Sequence, residues 1–157
     1  MHAHKYTLDI ISYSQKEDCR IMESVFKYWF KNPKELNFFS PALAYPFNFK
    51  KFLQIYDENT NTLIIKHQDW IIGHISFQIY NRDLSIFFLF IDQDYRKKGV
   101  GNILLNKIEK ISKQKFVERI CIKIQKKNEG TIKMFEDLNY KILEYKKANF
   151  LKFTKTI

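Results

Sequence analysis

The sequence predicts a single α/β (α+β) domain over residues 1–157, with a mixed, mostly antiparallel central sheet flanked by helices. Three observations predict it. Residues 84–91 form an apolar run that is typical of a buried central strand. Two strands joined by short turns precede this run, which makes the three strands antiparallel neighbours. A further strand over residues 118–125 follows a long helix, and such a crossover makes it parallel to the central strand.

The first part of the chain predicts a strand and a helix. Apolar residues alternate with polar ones over residues 5–12, as in a half-buried strand. Ser14 and Glu17 have the spacing of a capping box, in which each side chain accepts the backbone N–H of the other residue. A helix with one apolar face should follow and should end at Asn32 and Pro33, because proline cannot continue a helix.

The segment over residues 35–49 is rich in aromatic residues and contains two prolines, so it is predicted to be irregular. It either covers the core or lines an acceptor pocket, since apolar loops serve both purposes. A short helix over about residues 50–56 follows. Two strands are then predicted at residues 62–67 and 70–80, and a turn joins the second to the central strand.

The last part of the chain predicts a second helix and a closing hairpin. Asn128 is a good N-cap for a helix with an apolar inner face. Asn139 fits the left-handed position that ends such a helix. The final strands are predicted at residues 140–145 and 149–153, with a turn over residues 146–148 between them.

The net charge of +10, from 27 basic and 17 acidic residues, favours a polyanionic partner. That partner is either nucleic acid or a phosphorylated cofactor such as coenzyme A, and the charge does not choose between them. No apolar run reaches membrane-spanning length, and the N-terminus lacks the pattern of a signal peptide. We therefore expect a cytoplasmic protein, monomeric or homodimeric, that does not bind membranes.

The cysteines and histidines do not predict a metal site or a disulfide. Cys19 and Cys121 lack the C-x-x-C spacing of zinc ligands, and both are expected to be buried thiols. The four histidines show no spacing typical of metal ligands.

The turn between the central strand and the long helix has the composition of a phosphate-binding site. Its three basic residues are followed by two glycines that flank Val100. The helix should begin at Gly99 or Val100, and the first N–H groups of a helix attract anions because they lack intrahelical partners. The glycines leave the backbone accessible, and Arg96 could bind a phosphate oxygen in a bidentate way. The same composition also fits an ordinary strand-to-helix turn with a solvated basic cluster and no phosphate site.

Residues 96–101 resemble the acetyl-CoA-binding motif of the GNAT N-acetyltransferase superfamily, in which Arg or Gln stands three positions before Gly-x-Gly or Gly-x-Ala. They differ from the Walker motif, which continues Gly-Lys-Ser/Thr, and from the Rossmann motif, whose third glycine is here Leu104. The predicted order of elements resembles the GNAT fold over nearly the whole chain. A second family pattern is matched by Asn128, Thr131, Met134, Phe135, Asn139 and Tyr140.

The resemblance implies acetyl-CoA as the cofactor. In this family the central strand separates from the parallel strand, and its unpaired peptide groups bind the pantetheine chain. One N–H stabilises the charge that develops on the thioester oxygen, and its position here implies Leu89. The residues implied in cofactor binding are Leu89, Phe90, Ile91, Arg96, Lys97, Lys98, Gly99, Val100, Gly101, Asn102 and Asn128.

Two catalytic positions depart from the family pattern. Many relatives have Tyr at the position of Phe135 to protonate the leaving sulfur, and some have a carboxylate base at the position of Ser85. Neither residue can do that work. A thiol with a pKa of about 8.5 leaves reasonably well as thiolate. The base is Asp92, Asp83 or His74 acting through water, or the neutral amine attacks the thioester directly.

The acceptor is expected to be a primary amine on a small molecule, an amino acid or a peptide. Since the cofactor would occupy the carboxyl end of the central strand, the acceptor should enter beside residues 35–49. The aromatic side chains there would suit an amine with an apolar or aromatic body, and the positive surface argues against polycationic acceptors. The candidate substrate-binding residues are Phe38, Phe39, Tyr45 and His74, with Phe47 in the same apolar lining.

Three functions are compatible with the sequence. The first and favoured one is an acetyl-CoA-dependent N-acetyltransferase. The second is an acyl-CoA-binding sensor of the same fold without turnover, because Phe135 and Ser85 lack catalytic groups. The third is a basic nucleic-acid-binding module, which is disfavoured because the basic residues do not cluster on one helix face and no nucleic-acid-binding motif is present.

Overall fold

The structure is a computed structural model that describes residues 5–143 and 149–157. In the described residues, seven strands form one sheet in the order β1-β2-β3-β4-β5-β7-β6. The strands are β1 (Tyr6–Ile11), β2 (Asn61–His67), β3 (Trp70–Tyr80), β4 (Asp83–Ile91), β5 (Arg119–Gln125), β6 (Lys141–Leu143) and β7 (Phe150–Thr156). The helices are α1 (Lys16–Trp29), α2 (Pro33–Phe39), α3 (Phe49–Ile55), α4 (Val100–Gln114) and α5 (Glu129–Asp137).

Neighbouring strands of this sheet run antiparallel except for β4 and β5. Short turns join β2, β3 and β4, with left-handed backbone at Gln68, Asn81 and Arg82. Helix α4 crosses over between β4 and β5, and this connection makes the two strands parallel. The predicted mixed, mostly antiparallel sheet is therefore confirmed.

The predicted capping box at the start of α1 is wrong. The helix begins after Gln15, whose side chain makes no capping hydrogen bond. The Ser14 hydroxyl shares a 2.6 Å hydrogen bond with the Ser12 hydroxyl, and Glu17 binds Arg20 instead. With the helix starting one residue later than predicted, Asp18 holds the third helical position, and its carboxylate accepts the Ser12 N–H at 3.0 Å.

The aromatic segment that was predicted to be irregular begins inside helix α2. Asn32 and Pro33 do not only follow α1. They also start the next helix, since the Asn32 side chain accepts the Glu35 N–H at 2.9 Å and proline fits the first helical position. The rest of the segment is irregular as predicted, and α3 confirms the next predicted helix, with Asn48 as its N-cap.

Two hydrophobic clusters lie on opposite faces of the sheet. The aliphatic cluster joins the inner faces of α4 and α5 to the sheet through residues such as Ile65, Leu104 and Ile120. The aromatic cluster joins α1, α2 and α3 to the other face through residues such as Phe26 and Phe52. The sheet therefore separates the elements that follow β4 from those that precede β2.

The C-terminal part agrees with the prediction where it is described. Asn128 accepts the Thr131 N–H at the start of α5, and Asn139 has a left-handed φ of 69° just after the helix. Strands β6 and β7 pair antiparallel as a closing hairpin. The predicted strand end at residues 144–145 and the turn over residues 146–148 lie outside the described residues.

Cys121 is buried, whereas Cys19 is only partly buried, so the prediction of two buried thiols is correct for one of them. No helix among the described residues is long and apolar enough to cross a membrane. Over the same residues, no group of three or more His, Cys, Asp and Glu side chains could hold a metal ion.

Candidate active site

The parallel strands β4 and β5 pair over only three residues each. Asp83, Leu84 and Ser85 lie opposite residues 119–121, and an ion pair of 2.9 Å between Asp83 and Arg119 closes this end. Beyond Ser85 the two strands separate, while β4 stays paired with β3 up to Ile91. One edge of the carboxyl half of β4 therefore faces a gap in the sheet.

A cavity of about 540 Å³ lies at this gap. Residues 85–89 of β4 and 121–125 of β5 form its two sides. The end of α2 and the residues after it cover it with Phe38 and Phe39, and Asn128 and Thr131 reach it from the start of α5. The cavity thus brings together one predicted catalytic N–H, at Leu89, with Ser85 and two of the predicted substrate-binding residues.

Strand β4 carries a β-bulge beside the cavity. His74 of β3 pairs with Phe90, whereas Ser76 pairs with Phe87, so Phe88 and Leu89 together oppose the single residue Ile75. Phe88 has a left-handed φ of 51°, which is unusual for a bulky residue. A bulge re-aims the backbone of one strand, and this one lies at the peptide that joins Phe88 to Leu89.

His74 is a core residue and does not line the cavity, contrary to the predicted substrate-binding role. Its ring is fully buried, and its Nδ1 donates to the Phe88 carbonyl at 2.7 Å. Because a carbonyl only accepts, Nδ1 carries the proton, and Nε2 accepts the Tyr13 hydroxyl at 2.8 Å. Burial lowers the pKa of His74 to about 4, so the ring is neutral near pH 7 and is enclosed away from any acceptor.

The turn before α4 exposes the start of the helix, as predicted. Gly99 is the N-cap, with a left-handed φ of 84°, and a side chain at this position would meet no atom within 4 Å. The Ile103 N–H donates to the Gly99 carbonyl at 3.2 Å as the first helical hydrogen bond. The N–H groups before Ile103 therefore have no partner within the helix, and the exposed side chains of Lys97 and Lys98 stand beside them.

Arg96 is already bound on both sides of its guanidinium group. Its Nε donates to the Ile91 carbonyl at 2.9 Å, and a terminal nitrogen binds the buried Glu35 carboxylate at 2.6 Å. The group also lies 5.0 Å from the centre of the Phe90 ring. In this arrangement Arg96 joins the turn to α2, and two of its five N–H donors are already used within the protein.

Gly101 has a different role from the one predicted. It is buried, and a side chain at this position would collide with the Met134 sulfur of α5. Its lack of a side chain therefore allows α4 and α5 to pack closely. Close approach of a phosphate to the backbone remains possible at Gly99, where the surrounding space is open.

Phe135 and Tyr45 lie away from the cavity. Phe135 is fully buried in the aliphatic cluster, where its ring contacts Tyr140 edge-on with centres 4.8 Å apart. It is a core residue with no group to donate a proton. The Tyr45 hydroxyl donates to the Lys31 carbonyl at 2.9 Å on the surface. Neither residue is among those that line the cavity.

Of the candidate bases, Asp83 lines the cavity but is paired with Arg119. Asp92 lies elsewhere, in a smaller cavity of about 250 Å³, where it accepts the Trp29 indole N–H at 3.3 Å and the Asp94 N–H at 2.9 Å. The structure therefore places neither carboxylate free at the gap between β4 and β5.

Sequence reasoning missed several polar residues of the cavity. Cys121, Lys123 and Gln125 line it from β5, and Lys152 lines it from β7. Burial raises the pKa of the Cys121 thiol, which is therefore protonated near neutral pH. The alternation of these β5 residues with three isoleucines was a usable signal, since it places them together on the face away from the aliphatic cluster. The position of Lys152 depends on strand pairing, for which the sequence holds no such signal.

The family model described as Acetyltransferase (GNAT) family matches residues 21–140. The GNAT domain of S. lividans PAT is 14% identical, with a TM-score of 0.79, 99% of this chain covered and 98% of that chain. PaiA N-acetyltransferase from Thermoplasma acidophilum, solved in complex with coenzyme A, is 16% identical, with a TM-score of 0.73. The match covers 96% of this chain and 99% of that chain. The ribosomal-protein-S18-alanine N-acetyltransferase from Escherichia coli is 15% identical, with a TM-score of 0.67. The match covers 96% of this chain and 94% of that chain. At these identities the likeness shows the fold. No curated protein matches the sequence.

Proposed function

Because the chain belongs to the acetyltransferase (GNAT) family, we propose that it is an N-acetyltransferase that uses acetyl-CoA and acetylates a primary amine. The separation of β4 from β5 past Ser85, on the strand that precedes the exposed turn at Gly99, is the observation that carries the proposal. The gap offers a cavity for a thioester, and the start of α4 offers N–H groups for a pyrophosphate.

The residues present fit the cofactor. Backbone groups of Leu89, Phe90 and Ile91 would hold the pantetheine chain in the gap. The N–H groups of residues 97–102 would hold the pyrophosphate, with Lys97 and Lys98 supplying positive charge. Asn128 lines the cavity from α5. When bound, acetyl-CoA supplies the acetyl group as an activated thioester.

The chemistry requires little from side chains. The Leu89 N–H would stabilise negative charge on the thioester oxygen, because an N–H aimed at a developing charge in a water-poor site lowers the barrier. Attack by the acceptor nitrogen would form the C–N bond and break the C–S bond, with thiolate as the leaving group and the amine proton passing to water. Since Phe135 and Ser85 cannot act as acid and base, we expect the rate to follow the fraction of neutral amine.

The cavity lining supports an acceptor with an aromatic or apolar body and a negatively charged group. Phe38, Phe39 and Phe87 supply the aromatic walls. Lys123 and Lys152 lie directly opposite each other on β5 and β7, and both line the cavity. Two positively charged side chains in the lining favour an acceptor that carries an anionic group. A carboxylate or a phosphate on the acceptor meets this requirement.

Calorimetry with acetyl-CoA tests the cofactor. Asn102→Glu places a carboxylate at the start of α4, where it favours the helix but repels a pyrophosphate, so we expect about a tenfold or larger rise in Kd. Asn106→Glu, one turn later and also exposed, is the matched control and should change Kd little. Failure of the wild-type protein to bind acetyl-CoA at millimolar concentration would contradict the proposal.

Release of free coenzyme A over a panel of amines tests the acceptor. We compare aromatic amino acids and aromatic amines that carry a phosphate with their uncharged amides or parent amines. Lys123→Gln and Lys152→Gln should each lower kcat/KM for the charged acceptors by about tenfold, on the order of one charged hydrogen bond, and leave the uncharged ones nearly unchanged. Lys126→Gln, an exposed lysine outside the cavity, is the control. Equal use of both acceptor classes would contradict the anionic requirement.

The buried Phe135 keeps one alternative open, an acyl-CoA-binding sensor of the same fold. This alternative predicts tight acetyl-CoA binding without release of coenzyme A for any amine, amino acid or peptide. A single acceptor with measurable turnover contradicts it.

A further inference from the structure

A buried hydrogen-bonded chain connects Tyr13 to the bulge of β4. The Tyr13 hydroxyl donates to His74 Nε2 at 2.8 Å, and His74 Nδ1 donates to the Phe88 carbonyl at 2.7 Å. The His74 ring is enclosed by aromatic residues, with Phe26 and Phe39 centred within 5.5 Å of it. The bond to the carbonyl, which can only accept, fixes the proton on Nδ1, so Nε2 accepts from the Tyr13 hydroxyl.

The carbonyl that His74 binds belongs to the same peptide group as the Leu89 N–H. In a trans peptide the C=O and the N–H point in opposite directions. Since the Phe88 carbonyl points to the His74 ring, the Leu89 N–H points away from that ring, and Leu89 lines the cavity at the gap between β4 and β5. The backbone at Phe88 is left-handed, with φ at 51°, and such a conformation persists only where neighbouring groups hold it.

We propose that His74 is a positioning residue, which holds the Phe88–Leu89 peptide so that the Leu89 N–H faces the acetyl group and is polarised as a donor. This inference rests on the proposed function. A carbonyl that accepts a hydrogen bond strengthens the donor at the other end of its peptide. A neutral, buried histidine supplies that hydrogen bond without adding charge next to the thioester.

Two substitutions separate the hydrogen bond from the packing. His74→Leu keeps an apolar side chain of similar size and removes the donor to Phe88. His74→Asn keeps a donor at the position of Nδ1, although it is smaller. Tyr13→Phe keeps His74 and its bond to Phe88 but removes the hydrogen bond to Nε2 that polarises the ring and strengthens Nδ1 as a donor. It remains available as a test if His74→Leu does not fold.

The first measurement needs no cofactor. In protein labelled with ¹⁵N-leucine, the Leu89 amide resonance is identified by its loss in Leu89→Ile. We expect His74→Leu to move this amide proton upfield, His74→Asn to keep it near the wild-type position, and Tyr13→Phe to move it part of the way. An unchanged Leu89 amide in His74→Leu, or in Tyr13→Phe if His74→Leu does not fold, overturns the proposal.

The second measurement is kinetic. We expect His74→Leu to lower kcat about tenfold, less than the hundredfold or more typical of losing such a donor entirely, while the Kd of acetyl-CoA stays unchanged. His74→Asn should restore most of kcat. A fall in kcat that follows thermal stability and is equal in both variants overturns the proposal. If wild-type protein does not bind acetyl-CoA, the proposed function fails, whereas the Leu89 amide shift still decides whether His74 positions the peptide.

Discussion

The two faces of the sheet are built from different side chains. Among the described residues, the buried members of the aliphatic cluster are mostly Ile, Leu and Val, whereas six of the ten in the aromatic cluster are Phe or Trp. The aliphatic cluster supports α4, a helix of 15 residues, and the aromatic cluster supports α2 and α3, of seven residues each. Helices that short are not stable alone, so contacts with large rings hold them in place on this face of the sheet.

The difference assigns separate tasks to the two faces. The long helix presents its start to the proposed pyrophosphate site from a regular, closely packed base. Helix α2 presents Phe38 and Phe39 to the cavity, and its position depends on tertiary contacts. We therefore expect acceptor binding to be more sensitive than cofactor binding to changes in the aromatic cluster.

The largest expected effect comes from the centre of the aromatic cluster. Phe26 is fully buried and contacts the rings of Trp29, Phe30 and Phe52 among others. Phe26→Ala should lower the free energy of unfolding by about 3–5 kcal/mol, and Leu104→Ala in the aliphatic cluster by about 2–4 kcal/mol. Urea denaturation followed by the fluorescence of the buried Trp29 measures both. A smaller loss for Phe26→Ala than for Leu104→Ala would contradict this order.

The second effect is the pH dependence that His74 gives to the aromatic side. Its pKa is about 4 in the folded protein and about 6.5 unfolded, so above pH 6.5 neither state binds the proton. As the pH falls from 6.5 to 4 only the unfolded state binds it, and stability decreases by about 3 kcal/mol in total. Urea denaturation over this range should show that slope, and His74→Leu should remove it. An equal slope in the variant would show that other groups cause it.

A third prediction concerns the ion pair that joins the turn before α4 to the aromatic side. Arg96→Met leaves the buried Glu35 carboxylate without its partner, and we expect a loss of about 1–2 kcal/mol, since Arg96 itself is partly exposed. Arg96→Lys keeps the charge but loses the second hydrogen bond, to the Ile91 carbonyl, and should lose less. Thermal denaturation measures both, and equal losses would show that charge does not matter at this position.

The smallest effect is expected at Gly99, on the aliphatic side. Alanine would meet no neighbouring atom there, so Gly99→Ala should cost only the strain of a left-handed backbone, about 1 kcal/mol. Gly130 lies in α5 with equally open surroundings and a helical backbone. Gly130→Ala should therefore stabilise the protein by about 0.5 kcal/mol. A loss of stability in both variants would mean that backbone conformation does not determine the effect of alanine at these positions.

The sequence predicted the aliphatic side better than the aromatic side. Because a long helix repeats its apolar pattern over several turns, the regular spacing from Val100 to Ile111 predicted α4 with a start at Gly99 or Val100, and the helix begins at Val100. Helix α2 was missed because seven residues hold only two turns, and Asn32 with Pro33 signals both an end and a start. Phe38 and Phe39 at the end of α2 line the cavity, and their role in acceptor binding stays a prediction.

The candidate site was predictable where it depends on local backbone and not where it depends on pairing. The exposed start of α4 follows from adjacent residues, so the motif was enough to find it. The positions of His74 and Lys152 depend on which strands pair and where β4 bulges. Those relations join residues far apart in the chain, and no local pattern encodes them.

The contact between Gly101 and Met134 has an evolutionary consequence. The two residues lie on different helices, and the space that glycine leaves is the space that the methionine sulfur occupies. Neither position can enlarge unless the other becomes smaller, since packed interiors hold few voids. Homologues should therefore show correlated substitution, with alanine at position 101 accompanied by a shorter or differently branched residue at position 134.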